Sequence, residues 1–450
     1  MKNPVWLKNP LAIFTSNDKD ARGGLVVHGN KIIELVAQGQ TPIMPDVDVV
    51  DSSQHVILPG LVNAHHHFYQ TLTRVFPPAI NKPLFPWLTT LYPVWSKLSP
   101  KQIELSTKLA LAELLLSGCT TASDHHYLFT DAIRDAIDIQ AMAATQMGVR
   151  VQLTRGSMSL GKDQGGLPPQ VTVQSEQAII DDSLRLINTY HGADDGAMIK
   201  LSLAPCSPFS VTEELMIESA KIAREHGLTL HTHLAETEDE NNFCLNKLKA
   251  RPLDYLEKVG WLANDVWLAH GIHFNDDEVK RLGDAKVGIC HCPSSNMILA
   301  SGICRGVELE QAGAKIGIGV DGSASNDGSN MINELRQALL IHRLRYQANE
   351  VTHLDILRWA TKGSSACIGR NDIGEIEVGK QADIAMFKLD EPRFSGAGDP
   401  LAALILCGAQ AADRTMVNGE WRVIDGDLVD IDLAQLMQDH HQSALELQVI

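Results

Sequence analysis

The sequence has few cysteines for its length and no long apolar run. Eight cysteines are scattered among 450 residues, and only Cys290 and Cys292 lie close together. This spacing excludes a disulfide-rich scaffold and paired Cys-x-x-Cys knuckles, and it favours a reducing, cytoplasmic location. Because no apolar stretch approaches the roughly 20 residues of a spanning helix, we expect no membrane segment.

The sequence also lacks an excess of positive charge. Lys and Arg total 38 and Asp and Glu total 55, so the formal net charge is −17. This acidic balance argues against a nucleic-acid partner, which needs a basic surface, and against binding to anionic lipid. The first ten residues include two prolines and no continuous apolar stretch, so we expect no secretory signal.

Hydrophobic residues make up 44% of the chain and charged residues 21%, which is an ordinary globular composition. The length suits one large barrel with additions, or two to three smaller domains.

Strand-like and helix-like patterns alternate through the middle of the chain. The predicted strands are 57–64, 120–124, 149–155, 199–204, 228–233, 265–270, 287–290 and 315–321. Repeated β-α units predict a parallel sheet with right-handed crossovers. Because there are eight units, we predict an α/β fold of the closed (β/α)8 TIM-barrel type.

Both ends of the chain have the pattern of short β-strands joined by tight turns. Gly29-Asn30 and Asn418-Gly419 are turn signals between strand-like runs. We therefore predict that residues 1–57 and 368–450 combine into one small β-sandwich. Residues 58–367 would form the barrel.

Histidines and acidic residues cluster where the predicted barrel strands end, and catalytic groups of such barrels lie at those ends. Two residues apart in a strand, His65 and His67 share one face. The other residues at strand ends are His233, Glu236, His270 and Asp321. Three histidine nitrogens and one aspartate oxygen suit Zn²⁺ and also Fe²⁺. Because no bridging lysine or second carboxylate is evident, we expect one metal ion.

Each of these residues also has a simpler explanation. A lone His-x-His in a strand is more often not a metal site, and His231 is interpreted as a structural residue one layer deeper. Asp321 alone could form an Asx turn, because Gly322 follows it. The joint occurrence of all six residues at predicted strand ends favours a metal-dependent hydrolase.

At these positions the chain resembles the amidohydrolase superfamily, in its cytosine, guanine and adenosine deaminase-like branch. The resemblance rests on PGLVNAHHH (59–67), HTHLAE (231–236), AH (269–270), GVDG (319–322) and the GEIEVGKQAD segment (374–383). It implies one metal ion bound by His65, His67, His233 and Asp321. It also implies that Glu236 shuttles protons, that His270 orients the water and that Asp321 accepts the water's proton.

Within this branch, several loop segments of the chain are similar to those of deaminases that act on oxidised purines. They include HFYQTLTR (67–74) and APCSPF (204–209). The resemblance implies a small nucleobase-like substrate, with 8-oxoguanine hydrolysed to urate and ammonia. Isoxanthopterin, guanine or a hydroxylated aminotriazine remain alternative substrates. Chloride remains an alternative to the amine as the leaving group. Barrels of this family often associate, which leaves a homo-oligomer open.

Two further residues are candidates for substrate contact. Gln70 lies just past the histidine pair, and its amide could pair with the lactam edge of a purine. Arg155 ends the third predicted barrel strand and could hold a carbonyl oxygen. The alternative for Arg155 is an ion pair with a neighbouring Asp or Glu.

Overall fold

The structure, a computed structural model, describes residues 3–15 and 19–449. Its strands are β1 (Val5–Lys8), β2 (Ala12–Ile13), β3 (Gly24–His28), β4 (Lys31–Val36), β5 (Asp48–Asp51), β6 (His55–Pro59), β7 (Leu61–Asn63), β8 (Cys119–His126), β9 (Arg150–Ser157), β10 (Ile199–Pro205), β11 (Thr229–Leu234), β12 (Val266–His270), β13 (Gly288–His291), β14 (Lys315–Ile318), β15 (Ile384–Lys388), β16 (Arg414–Val417), β17 (Glu420–Ile424) and β18 (Asp427–Leu428).

The α-helices are α1 (Leu84–Trp95), α2 (Pro100–Leu116), α3 (Ala136–Met147), α4 (Glu176–Tyr190), α5 (Glu213–Glu225), α6 (Glu238–Phe243), α7 (Pro252–Lys258), α8 (Asp276–Asp284), α9 (Pro293–Ile298), α10 (Gly306–Ala312), α11 (Met331–His342), α12 (His353–Arg358), α13 (Ser364–Cys367), α14 (Pro400–Ala403) and α15 (Leu433–Gln448). Short 3₁₀ or π-helical turns include Phe68–Thr73. Among the described residues, no helix combines the length and apolar character that crossing a membrane requires.

Strands β7 to β14 pair in chain order, all parallel, into one eight-stranded sheet. Backbone hydrogen bonds join its first and last strands: the Ala64 amide donates to the Ile318 carbonyl, and the Asp321 amide donates to the His65 carbonyl, both at 3.0 Å. The predicted (β/α)8 barrel is confirmed. Because all strands run the same way, their carboxyl ends meet at one mouth.

The first predicted strand, 57–64, is in fact two strands that serve two sheets. β6 pairs with β15 outside the barrel, and β7 pairs with β8 inside it. Gly60 lies between them, and a Cβ built on it would lie 2.1 Å from Oγ1 of Thr120. Only glycine allows the backbone to pass this close to β8, so the chain can change sheets there.

The predicted sandwich of both termini is confirmed. One sheet has the order β4-β3-β1-β5, and the other has the order β18-β17-β16-β15-β6-β2, so the second combines strands from both ends. The two predicted turns connect β3 to β4 and β16 to β17. The sandwich strand β6 extends past residue 57, and the exact division of the chain into domains stays a prediction.

The end of the chain corrects another expectation, since only short strands and turns were expected after residue 368. Helix α15 instead packs against α2. In α15, His440 Nε2 lies 3.0 Å from Thr71 Oγ1, and Gln448 donates to the Leu72 carbonyl at 2.7 Å. The last helix therefore supports the 3₁₀ turn that follows the His65–His67 segment.

A buried ion pair links the barrel to the sandwich. Nε of Arg150 in β9 donates to Asp383 at 2.9 Å, and both side chains are inaccessible to solvent. Asp383 also accepts from the Asn418 amide at 2.7 Å.

We predict that Asp383→Ala lowers the free energy of unfolding by about 3–5 kcal/mol, because it leaves the Arg150 charge buried and unpaired. Urea denaturation measures the change. The control is Asp284→Ala, which removes an exposed pair with Lys280 and is expected to have a much smaller effect. Equal losses in the two variants would contradict the prediction.

Candidate metal centre and active site

Four side chains that the sequence singled out converge at the mouth of the barrel. His65 and His67 follow β7, His233 lies in β11, and Asp321 follows β14. Asp321 Oδ1 lies 3.3 Å from His65 Nε2 and 3.4 Å from His67 Nε2, and the Nε2 atoms of His67 and His233 are 3.2 Å apart. The side chains of His65, His67 and Asp321 are buried, and that of His233 is partly buried.

Backbone carbonyls fix the proton position on two of these histidines. Nδ1 of His67 lies 2.7 Å from the His125 carbonyl, and Nδ1 of His233 lies 2.7 Å from the Cys206 carbonyl. A carbonyl only accepts, so each Nδ1 carries the hydrogen. Nε2 of each neutral ring then carries a lone pair, which points toward Asp321 and the other rings.

The third histidine is held by a relay rather than by a carbonyl. Nδ1 of His231 donates to the Trp267 carbonyl at 2.9 Å, which leaves its Nε2 to accept from His65 Nδ1 at 2.8 Å. Nε2 of His65 consequently carries a buried lone pair that has no hydrogen-bond partner. An orphaned acceptor of this kind fits a bound cation. His231, interpreted from sequence as structural, is therefore the partner that orients His65.

The electrostatics of the four residues suit a cation. Burial lowers the pKa of His233 to about 3 and also lowers the pKa values of His65 and His67, so the rings are neutral. Burial alone would raise the pKa of Asp321, but that pKa lies well below the usual range, and the Gly322 amide and the Ser295 hydroxyl group both donate to its oxygens. Three neutral imidazoles and one carboxylate are a donor set for a divalent metal ion.

Asp321 is held in an uncommon backbone conformation. The eighth barrel strand ends at Ile318, three residues earlier than predicted, and Asp321 follows it with a φ of 62°. Its Oδ1 accepts from the Gly322 amide at 2.7 Å, and its Oδ2 accepts from Ser295 Oγ at 2.6 Å. His270, at the end of β12, also has a positive φ, of 71°. Such residues cost about 1–3 kcal/mol each and cluster at functional sites.

Glu236 and His270 lie beside this cluster. Glu236 Oε2 is 3.5 Å from His270 Nε2, which in turn is 3.9 Å from Asp321 Oδ2. Burial raises the pKa of Glu236 to about 7, so its carboxyl group can both give and take a proton near neutral pH. The Glu240 carboxylate accepts from the Ala235 and Glu236 amides, both at 2.9 Å, and fixes this loop.

A cavity opens directly onto these groups. Its walls are formed by His67, Gln70, Leu84, Trp87, Leu88, Tyr92, Tyr127, Cys206, Phe209, His233, Glu236, His270, Leu299, Asp321 and Ser325. The wall combines eight apolar, aromatic or thiol side chains with seven polar or charged ones, a mixture that suits a small polar ligand. Four of these residues come from α1, which the sequence interpretation did not identify as a helix.

Gln70 lies in the cavity wall, as expected for a residue that meets the substrate. A Cβ on Gly322 would lie 1.9 Å from Gln70 Oε1, so the amide reaches the site only because residue 322 is glycine. The Ala324 amide lies 3.4 Å from the same oxygen. The substrate contact itself stays a prediction.

Arg155 lies elsewhere, which corrects the expectation that it meets the substrate. Its guanidinium donates to Asp182 at 2.7 Å and to Gln174 at 2.9 Å, and it stacks 3.7 Å over the ring of Phe129. The side chain is fully buried against α4 and does not line the cavity. Arg155 therefore forms an ion pair, which is the alternative that the sequence analysis left open.

His125 is a member of the cluster that the sequence analysis did not single out. It donates to the Ala204 carbonyl at 3.0 Å, as a locally bonded histidine would. Its ring also stacks on His233 with centroids 4.8 Å apart, and it belongs to a group of potential ligand atoms with His65, His67 and His233. Its place at the end of β8 was the signal that could have identified it.

Comparison with known proteins gives consistent matches. Residues 56–422 match the Amidohydrolase family. The chain is 61% identical to an 8-oxoguanine deaminase of Pseudomonas aeruginosa over 443 residues, which cover 98% of this chain and 99% of that protein. It is 31% identical to an isoxanthopterin deaminase from an unknown prokaryotic organism, over 98% of this chain and 96% of that one.

Solved structures match over the full length as well. Atrazine chlorohydrolase from Arthrobacter aurescens TC1, complexed with zinc, superposes with a TM-score of 0.91 at 30% identity, covering 99% of this chain and 100% of that one. An adenosine deaminase from Xanthomonas campestris with bound zinc gives a TM-score of 0.88 at 25% identity, covering 99% and 98%.

We predict that His231→Phe weakens metal binding by about 10- to 100-fold, because His65 loses the acceptor that fixes its proton on Nδ1. Competition with a chelator of known affinity measures this change. The control is His191→Phe, whose ring accepts from the Leu201 amide away from the cavity. Affinity within twofold of the parent protein would contradict the orienting role of His231.

Proposed function

The chain belongs to the amidohydrolase family and is a metal-dependent deaminase, and we propose that it hydrolyses 8-oxoguanine to urate and ammonia. The observation that carries the proposal is 61% identity to an 8-oxoguanine deaminase along nearly the whole of both chains. The proton-transfer pair Glu236 and His270 at the cavity supports the same reaction class.

We propose that His65, His67, His233 and Asp321 hold one divalent ion. The inward lone pairs of the three rings and the ionised carboxylate support this set. Zinc is our proposal for the ion, since zinc is bound in structural relatives, and Fe²⁺ suits the same donors. When bound, the ion supplies Lewis acidity that makes water a stronger acid near neutral pH.

The remaining steps fall to side chains of this chain. Asp321 and His270 are placed to take the proton of the attacking water, whose oxygen forms a bond to the ring carbon that bears the amine. Glu236, protonated below about pH 7, gives its proton to the adjacent ring nitrogen. The proton taken from water then reaches the amine through Glu236, the carbon–nitrogen bond breaks, and ammonia leaves. As the carbonyl forms, the proton of the new hydroxyl group returns to Glu236 and restores its acid form.

Glu236 favours an amine over chloride as the leaving group. An amine must be protonated before it departs, whereas chloride leaves as an anion. The buried carboxyl group beside His270 supplies that proton. We further propose that the Gln70 amide pairs with the lactam edge of the purine, supported by its place in the cavity wall.

We also make proposals about the location and the assembly of the protein. All eight cysteines are free thiols, and seven of them are buried. This supports our proposal of a reducing, cytoplasmic setting. A homo-oligomer stays a prediction from the family resemblance.

We predict that the metal-loaded protein releases ammonia from 8-oxoguanine faster than from guanine, isoxanthopterin or hydroxylated aminotriazines. Glu236→Gln is expected to lower kcat by about 10²–10⁴-fold, because the amide cannot shuttle a proton. The control is Glu334→Gln, a buried carboxyl outside the cavity whose pKa is also raised to about 7 by burial. Faster release of ammonia from a pterin or a triazine would overturn the proposed substrate but would not contradict the proposed active-site residues.

We also predict the pH dependence of the reaction. Because burial raises the pKa of Glu236 to about 7 and the protonated form is the acid, kcat/KM falls above that pH, by about tenfold per pH unit. Initial rates between pH 5 and 9 test this, and Glu334→Gln should give the same profile as the parent protein. A rate that stays constant from pH 7 to 9 would contradict Glu236 as the acid.

A further inference from the structure

A short segment behind the active site contacts His270 from the side opposite the cavity. Strand β13 ends at His291, and Asn296 follows it in α9; both side chains are buried. Oδ1 of Asn296 lies 2.9 Å from His270 Nδ1. Nδ2 of Asn296 lies 3.5 Å from His291 Nδ1.

The orientation of the Asn296 amide decides which nitrogen of His270 can exchange a proton. With its oxygen toward His270, the amide accepts from Nδ1, so that hydrogen stays in place whether the ring is neutral or charged. Proton exchange is then confined to Nε2, which faces Glu236 and Asp321. With the amide reversed, its NH₂ group would face Nδ1 and would oppose protonation of the ring there.

His291 favours the first orientation of the amide. His342 donates from Nδ1 to the Ala338 carbonyl at 2.8 Å, and burial lowers its pKa to about 4, so the ring is neutral. The His291 ring meets this ring edge to face, with centroids 4.8 Å apart and an interplanar angle of 87°. Nε2 of His291 has no hydrogen-bond partner among the described residues, and with the hydrogen of the ring there, Nδ1 is left to accept from the Asn296 amide.

We propose that Asn296, oriented by His291, is a positioning residue that holds the hydrogen of His270 on Nδ1 and restricts proton transfer to Nε2. The inference rests on the proposed function, because it assigns how His270 serves the deaminase reaction. Neither residue touches the cavity, so both act through His270.

The proposal predicts a defect in kcat rather than in substrate binding. Without an acceptor at Nδ1, His270 is free to change tautomer or to rotate away from Glu236. We expect Asn296→Ala to lower kcat by about 10- to 100-fold with KM within about twofold, as is typical when an outer partner that orients a histidine at a metal site is removed. His291→Phe keeps an aromatic ring but loses the acceptor, and a smaller loss of the same kind is expected.

Three comparisons separate positioning from a structural role. Asn296→Asp keeps an acceptor oxygen toward His270 whatever His291 does, so kcat is expected to be partly retained relative to Asn296→Ala. Adding His291→Phe to Asn296→Asp should then lower kcat little further. In the Asn296→Ala background, His291→Phe should likewise add almost nothing, because coupled residues are not additive. The control Asn275→Ala removes the N-cap of α8 and should lower stability without changing kcat.

A direct measurement is independent of which substrate is used. Nitrogen-15 NMR of the zinc-loaded protein with labelled histidine reports the tautomer of His270, assigned by comparison with His270→Gln. We expect the Nδ1–H form in the parent protein and loss of this single form in Asn296→Ala. An Nε2–H form in the parent protein, or an unchanged tautomer and kcat in Asn296→Ala, would overturn the proposal. Because this readout needs no turnover, it stands even if 8-oxoguanine is not the substrate.

Discussion

Each inward-facing imidazole at the barrel mouth is oriented by the hydrogen bond that its other ring nitrogen makes. His67 and His233 donate to the carbonyls of His125 and Cys206, which belong to or directly follow neighbouring strands. His65 uses the ring of His231, which donates to β12. The site therefore depends on the closed parallel sheet, because the sheet supplies these acceptors at fixed positions. The same bonds that fix the rings leave their Nε2 lone pairs directed at one another and at Asp321.

Burial then separates the roles of groups that would titrate alike in water. It keeps the inner imidazoles neutral and raises the pKa of Glu236 to about 7. Asp321 stays ionised, with a pKa well below the usual range and with donors to both carboxylate oxygens from Gly322 and Ser295. A donor set for a cation and a proton carrier are therefore adjacent but electrostatically distinct. Such divergence of pKa values between neighbouring groups is typical of acid–base catalysis.

Much of the architecture could be predicted from local patterns. Alternating strands and helices indicated the barrel, and the two-residue spacing of His65 and His67 indicated which side chains share a face. The change of sheet at Gly60 could not be predicted, because it depends on how closely Thr120 in another strand approaches. Arg155 could not be assigned from its place near a strand end, because its partner Asp182 comes from α4. Pattern alone gave the positions of these residues along the chain but not their neighbours in space.

Two of the helices that were not predicted from the sequence, α1 and α15, illustrate different limits. In α15, Leu436, Ala444 and Leu447 lie on the buried face, a spacing that the sequence does carry and that could have been recognised. In α1, Pro93 lies inside the helix and Pro83 precedes it, so the local signals point away from a helix. Packing over the cavity decides its conformation there. Tertiary contacts outweigh local preference most clearly at the functional site.

The central claim is that His65, His67, His233 and Asp321 bind one divalent ion. A crystal structure of the zinc-loaded protein, with anomalous scattering measured at the zinc absorption edge, tests it most directly. The account predicts one strong anomalous peak per chain at the barrel mouth, bonded to Nε2 of the three histidines and to an oxygen of Asp321. Two peaks at the mouth, or one peak coordinated without Asp321, would contradict it.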